Sequence, residues 1–471
     1  MKIEQIYTGC LAQGAYYLTS NGEAAIIDPL REIQPYLDRL ERDKVELKYI
    51  FETHFHADFV SGHVDLSKAT GAPIVYGPNA APEFDCIVAT DGQTFTIGNH
   101  IIKVLHTPGH TLESATYLLL DEKGKEEAIF SGDTLFIGDV GRPDLAQKAA
   151  SMTQDELAGI LYHSLRNKIM TLPDDVVVYP AHGAGSACGK NMSKETVSTI
   201  GNQKATNYAL RADMSEAEFI KEVTDGLLPP PAYFGMNVAL NKKGYTTFEK
   251  VLEKGLHAIS VNDFEAVVAE TGALILDTRN SSDFSKGFIP QSINIGISGD
   301  FAPWVGTLIA DVNQPLILVT NPGFEEETVT RLSRVGFDHI VGYLDGGFEA
   351  WEKAGNEIDT VNRITPEIFA QEFTPDSLVI DVRKETEYDA EHVAEAYNKP
   401  LAFLNEWIKD LDPKEPFFLH CAGGYRSMIA ASILQARGFR NFKEIEGGFN
   451  AIVKTEIPKT NFVCPSKKNK K

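Results

Sequence analysis

The chain has 471 residues, which at about 150 residues per domain makes about three domains, each long enough to build its own core. Hydrophobic residues are 43% and charged residues 23%, an ordinary globular composition, while 44 Lys plus Arg against 66 Asp plus Glu leave a net charge of -22. Such a surface repels nucleic acid and anionic lipid and excludes both as bulk partners, and no apolar run approaches the roughly 18 residues of a membrane span. The opening MKIEQIYTGCLAQG has no apolar core behind its lysine, so it reads neither as a signal peptide nor as a lipoprotein cleavage box around Cys10. The five cysteines, Cys10, Cys86, Cys188, Cys421 and Cys464, are odd in number and widely spaced, which fits a reducing cytoplasm with buried, liganding or reactive thiols.

In chain order, EAAIIDPL, LKYIFETH, APIVYG, HIIKVLHTPG, EEAIFSGD and DVVVYPAHG read as strands running into polar loops. Helical stretches separate them near Ile33 to Arg42, Gln154 to Ile169 and Glu216 to Asp225. Strands that end in polar loops are a common way to carry a site on a rigid scaffold. GLLPPPAYFGMNVALNKKGY, with Pro229 to Pro231 in a row, reads as a stiff connector of polyproline character. Beyond it the chain repeats itself: LILDTRNSSDF from Leu274 matches LVIDVRKETEY from Leu378, and the pair Gly346–Gly347 matches Gly447–Gly448. A period of about 100 residues is too long for a solenoid unit, so two whole domains of one fold are expected, each a parallel sheet covered by helices. The expected division is a first domain over 1–240, a linker over 241–255, the two repeats over 256–361 and 362–460, and a frayed basic tail over 461–471.

The densest chemistry is THFHADFVSGH, where His54, His56 and Asp58 are spaced i, i+2, i+4 at a strand end. Ligands this close on one loop make a metal half-site, because closing the chelate costs little chain entropy. HTPGHT adds His110, FSGDTLF adds Asp133 and VYPAHGAG adds His182, each after a strand or turn. The set resembles the metallo-β-lactamase fold, whose αββα sandwich carries metals at its strand ends; the resemblance covers roughly residues 1 to 240. Two-metal hydrolases of that superfamily follow HxHxDH, but here Phe59 takes the last position and cannot coordinate, so a single-metal site is expected. Of the inner candidates, His54, His110 and Asp133 are two imidazoles and one carboxylate, the ligand set of non-haem Fe(II) oxygenases.

GDTLFIGDVGRPD, YPAHGAGSACGKNMS and LLPPPAYFGMNVALN look like the persulfide dioxygenase branch. That resemblance implies one Fe(II) per chain on His54, His110 and Asp133, with His56, Asp58 and His182 orienting ligands or bound water; His56 remains open as a direct ligand. Arg142 has two readings, an anion receiver for the substrate or a salt bridge to Asp144. Cys188, at the rim of the inferred site, reads either as a buried hydrophobe or as a thiol that holds a persulfide.

FFLHCAGGYRSMIAASILQARG reads as a buried strand, a short loop and an amphipathic helix. Cys421 begins the loop, Ala422, Gly423, Gly424 and Tyr425 form an anion nest, and Arg426 ends it before Ser427 opens the helix. Nest, helix end and guanidinium all favour a thiolate or a Cys–S–S⁻ persulfide. A phosphatase-like loop, the runner-up, holds five residues between Cys and Arg; here there are four. With DVR and EGGF, the loop resembles a rhodanese domain, a sulfurtransferase, over about residues 362 to 460. In the first repeat Thr320 falls at Cys421 and Glu325 at Arg426, so that repeat reads as an inactive rhodanese.

Order and content resemble fused persulfide dioxygenase–sulfurtransferase proteins of bacteria. The resemblance implies oxidation of a small-thiol persulfide by dioxygen to sulfite, rhodanese transfer that forms or uses thiosulfate, and a homo-oligomer. Fusion raises the effective concentration of a shared intermediate. Two alternatives stand beside it: a zinc thioester hydrolase like glyoxalase II, and a sulfur carrier or sensor in which Cys421 only stores sulfane sulfur.

Overall fold

The computed structural model describes residues 1–147 and 151–463. Cys464 and the lysine-rich end expected to fray lie outside the described residues. The chain forms two compact units, one of residues 1–248 with 333–336, the other of 249–332 with the remainder. Among the described residues no helix is long and apolar enough to cross a membrane.

The first unit carries two six-stranded sheets. One runs in sequence order: β1 (Lys2–Thr8), β2 (Gln13–Ser20), β3 (Glu23–Ile27), β4 (Glu46–Glu52), β5 (Ile74–Tyr76) and β6 (Ile87–Val88). The other runs from β12 (Ser198–Thr199) through β11 (Val177–Pro180), β10 (Glu126–Gly132), β9 (Ala115–Leu120) and β8 (His100–His106) to β7 (Thr94–Ile97). Alternation along each strand builds the layers. On β2, Tyr16 and Leu18 join Phe95, Val104, Tyr117 and Phe130 in the core between the sheets, while Ala15 and Tyr17 face Tyr36, Leu40, Val64 and Leu66 on the outer side. A third core sets Ile129 and Val178 against Leu157, Leu161, Leu165 and Phe219 of the helices covering the second sheet. Helices, sheet, sheet and helices are the four layers of the expected αββα sandwich. The six strands read from sequence are all present; β1, β2, β6, β7, β9 and β12 are additions. The helices run Gln34–Asp43, Gln154–Ser164 (passing into a π turn over Leu165–Ile169) and Glu216–Thr224.

The connector expectation needs correction. Pro229 to Pro231 are irregular, but the residues after them form a helix, Phe234–Lys243, and Phe248–Gly255 form another. The segment 241–255 is therefore largely helical. Its start is docked on the first unit and does not stand free: the Asn241 side chain is buried and donates to the carbonyls of His56 and Phe59 at 2.8 Å each, while accepting from Ser61 N at 2.9 Å. One amide thus holds the loop that carries His54, His56 and Asp58.

The second unit contains two five-stranded parallel sheets of identical connectivity. The first has the order β13 (Ala258–Ile259), β17 (Ile340–Leu344), β16 (Leu316–Val319), β14 (Leu274–Asp277), β15 (Ile293–Asn294); the second has β18 (Arg363–Ile364), β22 (Phe442–Ile445), β21 (Phe417–His420), β19 (Val379–Asp381), β20 (Tyr397–Asn398). The repeated Asp-x-Arg motif does the same work twice. Arg279 binds Asp277 at 2.6 Å and lies over the Phe348 ring, and Arg383 binds Asp381 at 2.6 Å over Phe449. Each pair fastens a strand end to the Gly-Gly-Phe loop of its own repeat.

Replacing Asn241 with Ala leaves two buried carbonyls and one N–H without a partner. At about 1–3 kcal/mol for each orphaned group, denaturant unfolding should show a loss of at least about 2 kcal/mol. Metal loading should fall with it.

Candidate active sites: a metal centre and a cysteine loop

The metal candidates come from loops at the ends of β3, β4, β8, β10 and β11, which the two sheets bring to one edge. The ligand atoms of His54, His110 and Asp133 lie within 4.8 Å of one another, and all three residues are buried. His110 Nε2 is 3.3 Å and His54 Nε2 3.8 Å from the same oxygen, Asp133 Oδ2. The other oxygen, Oδ1, is 3.6 Å from His182 Nε2. His56, Asp58 and His182 form a second group, and Asp133, His182 and Cys188 a third. Every residue singled out around the HxHxD motif therefore converges, and Cys188 lies within the cluster, not at its rim.

The inner imidazoles are aimed by their far nitrogens. His110 Nδ1 donates to the carbonyl of Arg142 at 2.9 Å, and His54 Nδ1 lies 3.0 Å from Thr53 Oγ1. Both leave Nε2 facing Asp133. Burial, helped by the neighbouring imidazoles of His56 and His110, holds His54 well below its ordinary value, so it presents a neutral lone pair. At His182 burial opposes the charge, but Asp58 and Asp133 outweigh it and raise its basicity well above the usual range. The loop after β10 crosses closely: a Cβ on Gly141 would sit 1.9 Å from the Asp133 carbonyl, so no side chain fits there.

Two atoms test whether a metal suits this site. Both carboxylate oxygens of Asp133 are buried without a hydrogen-bond partner among the described residues, as is His182 Nε2. A desolvated carboxylate with no donor costs several kcal/mol, and a divalent cation offsets that cost. Imidazole nitrogens and carboxylate oxygens are the donor types such a cation takes.

Phe59 is fully buried and packs on the His56 ring at 4.3 Å, so an apolar ring occupies the place of a further ligand. Asp28, not singled out in the sequence, ends β3, accepts from Thr53 N at 2.8 Å and faces His56 Nε2 at 3.1 Å. Its place in IIDPL, a strand running into a loop, is the same signal that marked Asp133. Tyr233, from the Pro-rich segment, is buried, and its phenol is raised well above its usual range by burial and then by the charges of Asp58 and Cys188.

Arg142 Nε and Nη2 reach Asp144 at 2.6 and 2.7 Å, and the rest of the fork donates to the carbonyls of Ala187 and Leu228, so the salt bridge to Asp144 is present and holds the loop. Cys188 is a buried thiol pushed up to about 12 by burial and then by Asp58 and Asp133.

In the second repeat Cys421 is buried at the end of β21, and helix Tyr425–Ala436 begins beside it. Gly424 N–H donates to Cys421 Sγ at 3.1 Å, and Ser427 Oγ lies within hydrogen-bond reach of it at 3.4 Å. The Gly-Gly-Phe loop braces the nest from behind: Phe449 N binds the Cys421 carbonyl at 2.7 Å and Asn450 N that of Ala422 at 2.9 Å. A Cβ on Gly448 would meet the Cys421 carbonyl at 2.3 Å. Arg426 is in a bidentate pair with Glu387, at 2.6 and 2.8 Å, so its charge is partnered within the chain. Ala422 and Gly423 complete the loop, and Tyr425 OH donates to the Gly296 carbonyl of the first repeat at 2.8 Å.

The first repeat keeps the frame but has Thr320 where the second has Cys421. Gly347 approaches the Thr320 carbonyl as Gly448 approaches that of Cys421. Gly323 N–H, the counterpart of Gly424 N–H, donates to the Glu325 carboxylate at 2.8 Å. The chain's own carboxylate takes the donor that serves sulfur in the second repeat, and Thr320 Oγ1 is buried without a hydrogen-bond partner among the described residues.

The family model described as "Metallo-beta-lactamase superfamily" matches residues 8–182, and persulfide dioxygenase ETHE1 of Homo sapiens is 31% identical over 47% of this chain and 79% of its own length. The chain belongs to the metallo-β-lactamase superfamily. Within that superfamily, hydroxyacylglutathione hydrolase of Pseudoalteromonas translucida is 33% identical over 41% of this chain and 68% of its own. A metallo-β-lactamase structure from Staphylococcus aureus matches with a TM-score of 0.63 and 30% identity, across 73% of this chain and 98% of that one. A rhodanese-like domain model matches residues 260–354 and 365–455, so this superfamily member carries two such domains after its metal-binding fold.

Replacing His110 or Asp133 with Ala should strip the metal, read by elemental analysis, while leaving the Cys421 centre intact. His56→Ala should keep part of the metal if His56 only orients its neighbours; complete loss would make it a direct ligand.

Proposed function

We propose that the chain oxidises the persulfide of a small thiol to sulfite at one Fe(II) held by His54, His110 and Asp133. In the same reading, Cys421 moves sulfane sulfur between thiosulfate, sulfite and thiols. The observation that carries it is a ligand set of two imidazoles and one carboxylate joined in one chain to a cysteine nest that donates N–H to sulfur. Similarity to both a persulfide dioxygenase and rhodanese-like domains supports the pairing.

A bound Fe(II) would supply the open coordination positions and the redox chemistry that dioxygen requires. The protein's part is positioning. The Arg142 carbonyl and Thr53 fix the His110 and His54 rings, and Asp28 fixes His56. Phe59 makes the wall beside His56 apolar and limits the ligands available to a second metal. At the other centre, the Cys421 sulfur attacks the outer sulfur of a donor, and the N–H of Gly424 receives the charge that sulfur carries. The Cys421 centre lies in the second compact unit and the metal candidates in the first. Cys10, Cys86, Cys188 and Cys421 are all free, in keeping with a reducing cytoplasmic setting.

One observation favours a second reading. His56, Asp58 and His182 still form a buried group beside the first, and the hydroxyacylglutathione hydrolase similarity extends over the same region. A zinc thioester hydrolase would use both groups. Metal analysis of anaerobically purified protein separates the two: about one iron per chain supports the oxygenase, and about two zinc ions the hydrolase.

Cys421→Ser should retain persulfide-dependent oxygen uptake within about two-fold, because the metal candidates sit in a unit with its own cores. Its product should shift from thiosulfate towards sulfite, and thiosulfate–thiol transfer should vanish, since the first repeat offers no thiol. Undiminished thiosulfate formation, after subtracting the chemical reaction, would move that step to Cys188.

A further inference from the structure

The sulfur nucleophile stands at one end of a hydrogen-bonded chain that leads away from the substrate. Ser427 Oγ lies 3.4 Å from Cys421 Sγ and 2.6 Å from Glu444 Oε1. Glu444 belongs to β22 and is fully buried, and its other oxygen accepts from Arg363 Nε at 2.8 Å. Ser427 and Cys421 are buried too, so no bulk water stands between the three groups. An acidic side chain on an inward position of a central strand is rare without a partner or a task, and Arg363 partners only one of its oxygens.

A hydroxyl carries one proton. Ser427 can donate it to Glu444 while accepting from the Cys421 thiol, or donate it to the Cys421 sulfur while accepting from a protonated Glu444. It cannot do both at once. The two arrangements have the same total charge, a carboxylate with a thiol or a carboxylic acid with a thiolate, and differ by the shift of one proton along the chain. We propose that Glu444 is the proton store of the Cys421 centre, acting through Ser427 as a positioning residue for sulfur transfer. This rests on the sulfur-transfer reading of the Cys421 loop.

The charged surroundings suit the role. Burial pushes the Glu444 carboxyl up to about 7, against the pull of Arg363 and Ser427, with Glu446 adding to the rise. Gaining and losing a proton near neutral pH is therefore open to it. Arg363 faces Glu444 from β18 and also lies 3.9 Å from Glu446. On the sulfur side, Arg426 is bound to Glu387, and the imidazole of His420 lies against the Cys421 carbonyl and Asp381, which is itself bound to Arg383. None of these groups hydrogen-bonds Cys421 Sγ, whose donors are Gly424 N–H and Ser427 Oγ.

The step balances. As Cys421 sulfur attacks the outer sulfur of thiosulfate, the thiol proton passes to Ser427 Oγ and the Ser427 proton to Glu444. The S–S bond of thiosulfate breaks, its electron pair leaves with sulfite, and Cys421–S–S⁻ stands beside a protonated Glu444. When an acceptor thiolate or sulfite takes the outer sulfur, the bond to Cys421 breaks with its pair on Cys421. Glu444 then returns the proton by the same path. Nothing is oxidised or reduced overall.

The test uses the full chain and the variants Glu444→Gln and Ser427→Ala. Iodoacetamide alkylation of the Cys421 peptide, followed by mass spectrometry across pH, reads the thiol without any sulfur donor. In the unmodified chain the rate should rise in two steps, because two coupled groups titrate as a pair; E444Q should show a single step. Thiosulfate–thiol turnover near pH 7 should fall about ten-fold or more in E444Q and S427A, with KM for thiosulfate changed less than about three-fold. The double variant should lose no more than either single one, since both cut the same path. A two-step alkylation profile that survives in E444Q, or turnover of both variants within about two-fold of the parent, would overturn the proposal. Absence of sulfur transfer in the unmodified chain would instead sink the sulfur-transfer reading, while the alkylation profile still tests the proton link.

Discussion

The first unit is organised around one unsatisfied carboxylate. Asp133 is buried at the end of a central strand, with His110 and His54 near one oxygen and His182 near the other, and among the described residues neither oxygen has a hydrogen-bond donor. A fold can keep such a group only if something positively charged completes it. The features around it serve that arrangement: the close crossing at Gly141, the carbonyl of Arg142 behind His110, and Asp28 behind His56 and Thr53. The two sheets are the scaffold that makes five strand ends converge, and Asn241 closes the loop on which three of the polar groups ride.

The tandem repeats separate frame from chemistry. Both keep the strand order, the Asp–Arg pair, the Phe beneath the guanidinium and the close glycine behind the loop. What differs is the destination of one backbone N–H. In the second repeat Gly424 points it at sulfur; in the first, Gly323 points it at Glu325. The first repeat therefore differs from the second in the partner of that N–H as well as in the missing thiol.

Two arginines that the sequence offers as anion receivers are both engaged by carboxylates of the chain itself, Arg142 by Asp144 and Arg426 by Glu387. A half-buried guanidinium without a counter-ion is costly, and a carboxylate close in sequence or on the facing helix is the cheapest partner. For Arg142 that partner is the loop-fixing bridge to Asp144. For Arg426 it means that charge at the Cys421 sulfur is met first by Gly424 N–H and Ser427 Oγ, with the guanidinium one layer out.

Much was legible in the sequence because it is written locally. The i, i+2, i+4 run of His54, His56 and Asp58 needs only a strand end, the Cys421 nest needs only consecutive small residues before a helix, and the repeat announces itself by matched motifs. The αββα sandwich and the two parallel domains followed from those patterns and from the families they resemble. The remainder depends on contacts between residues far apart in the chain, which no window of sequence contains. Asn241 lies in a stretch that looked like a stiff connector, yet it sits on a helix and its side-chain amide satisfies carbonyls about 180 residues away. Glu444 gave no signal as one acid in an alternating strand; its meaning comes from Ser427 and Arg363, which only the folded sheet sets beside it. Residue types and local spacing determined which chemistry this chain can hold, and tertiary structure alone decided which polar groups are buried, which are already partnered, and which are left to act.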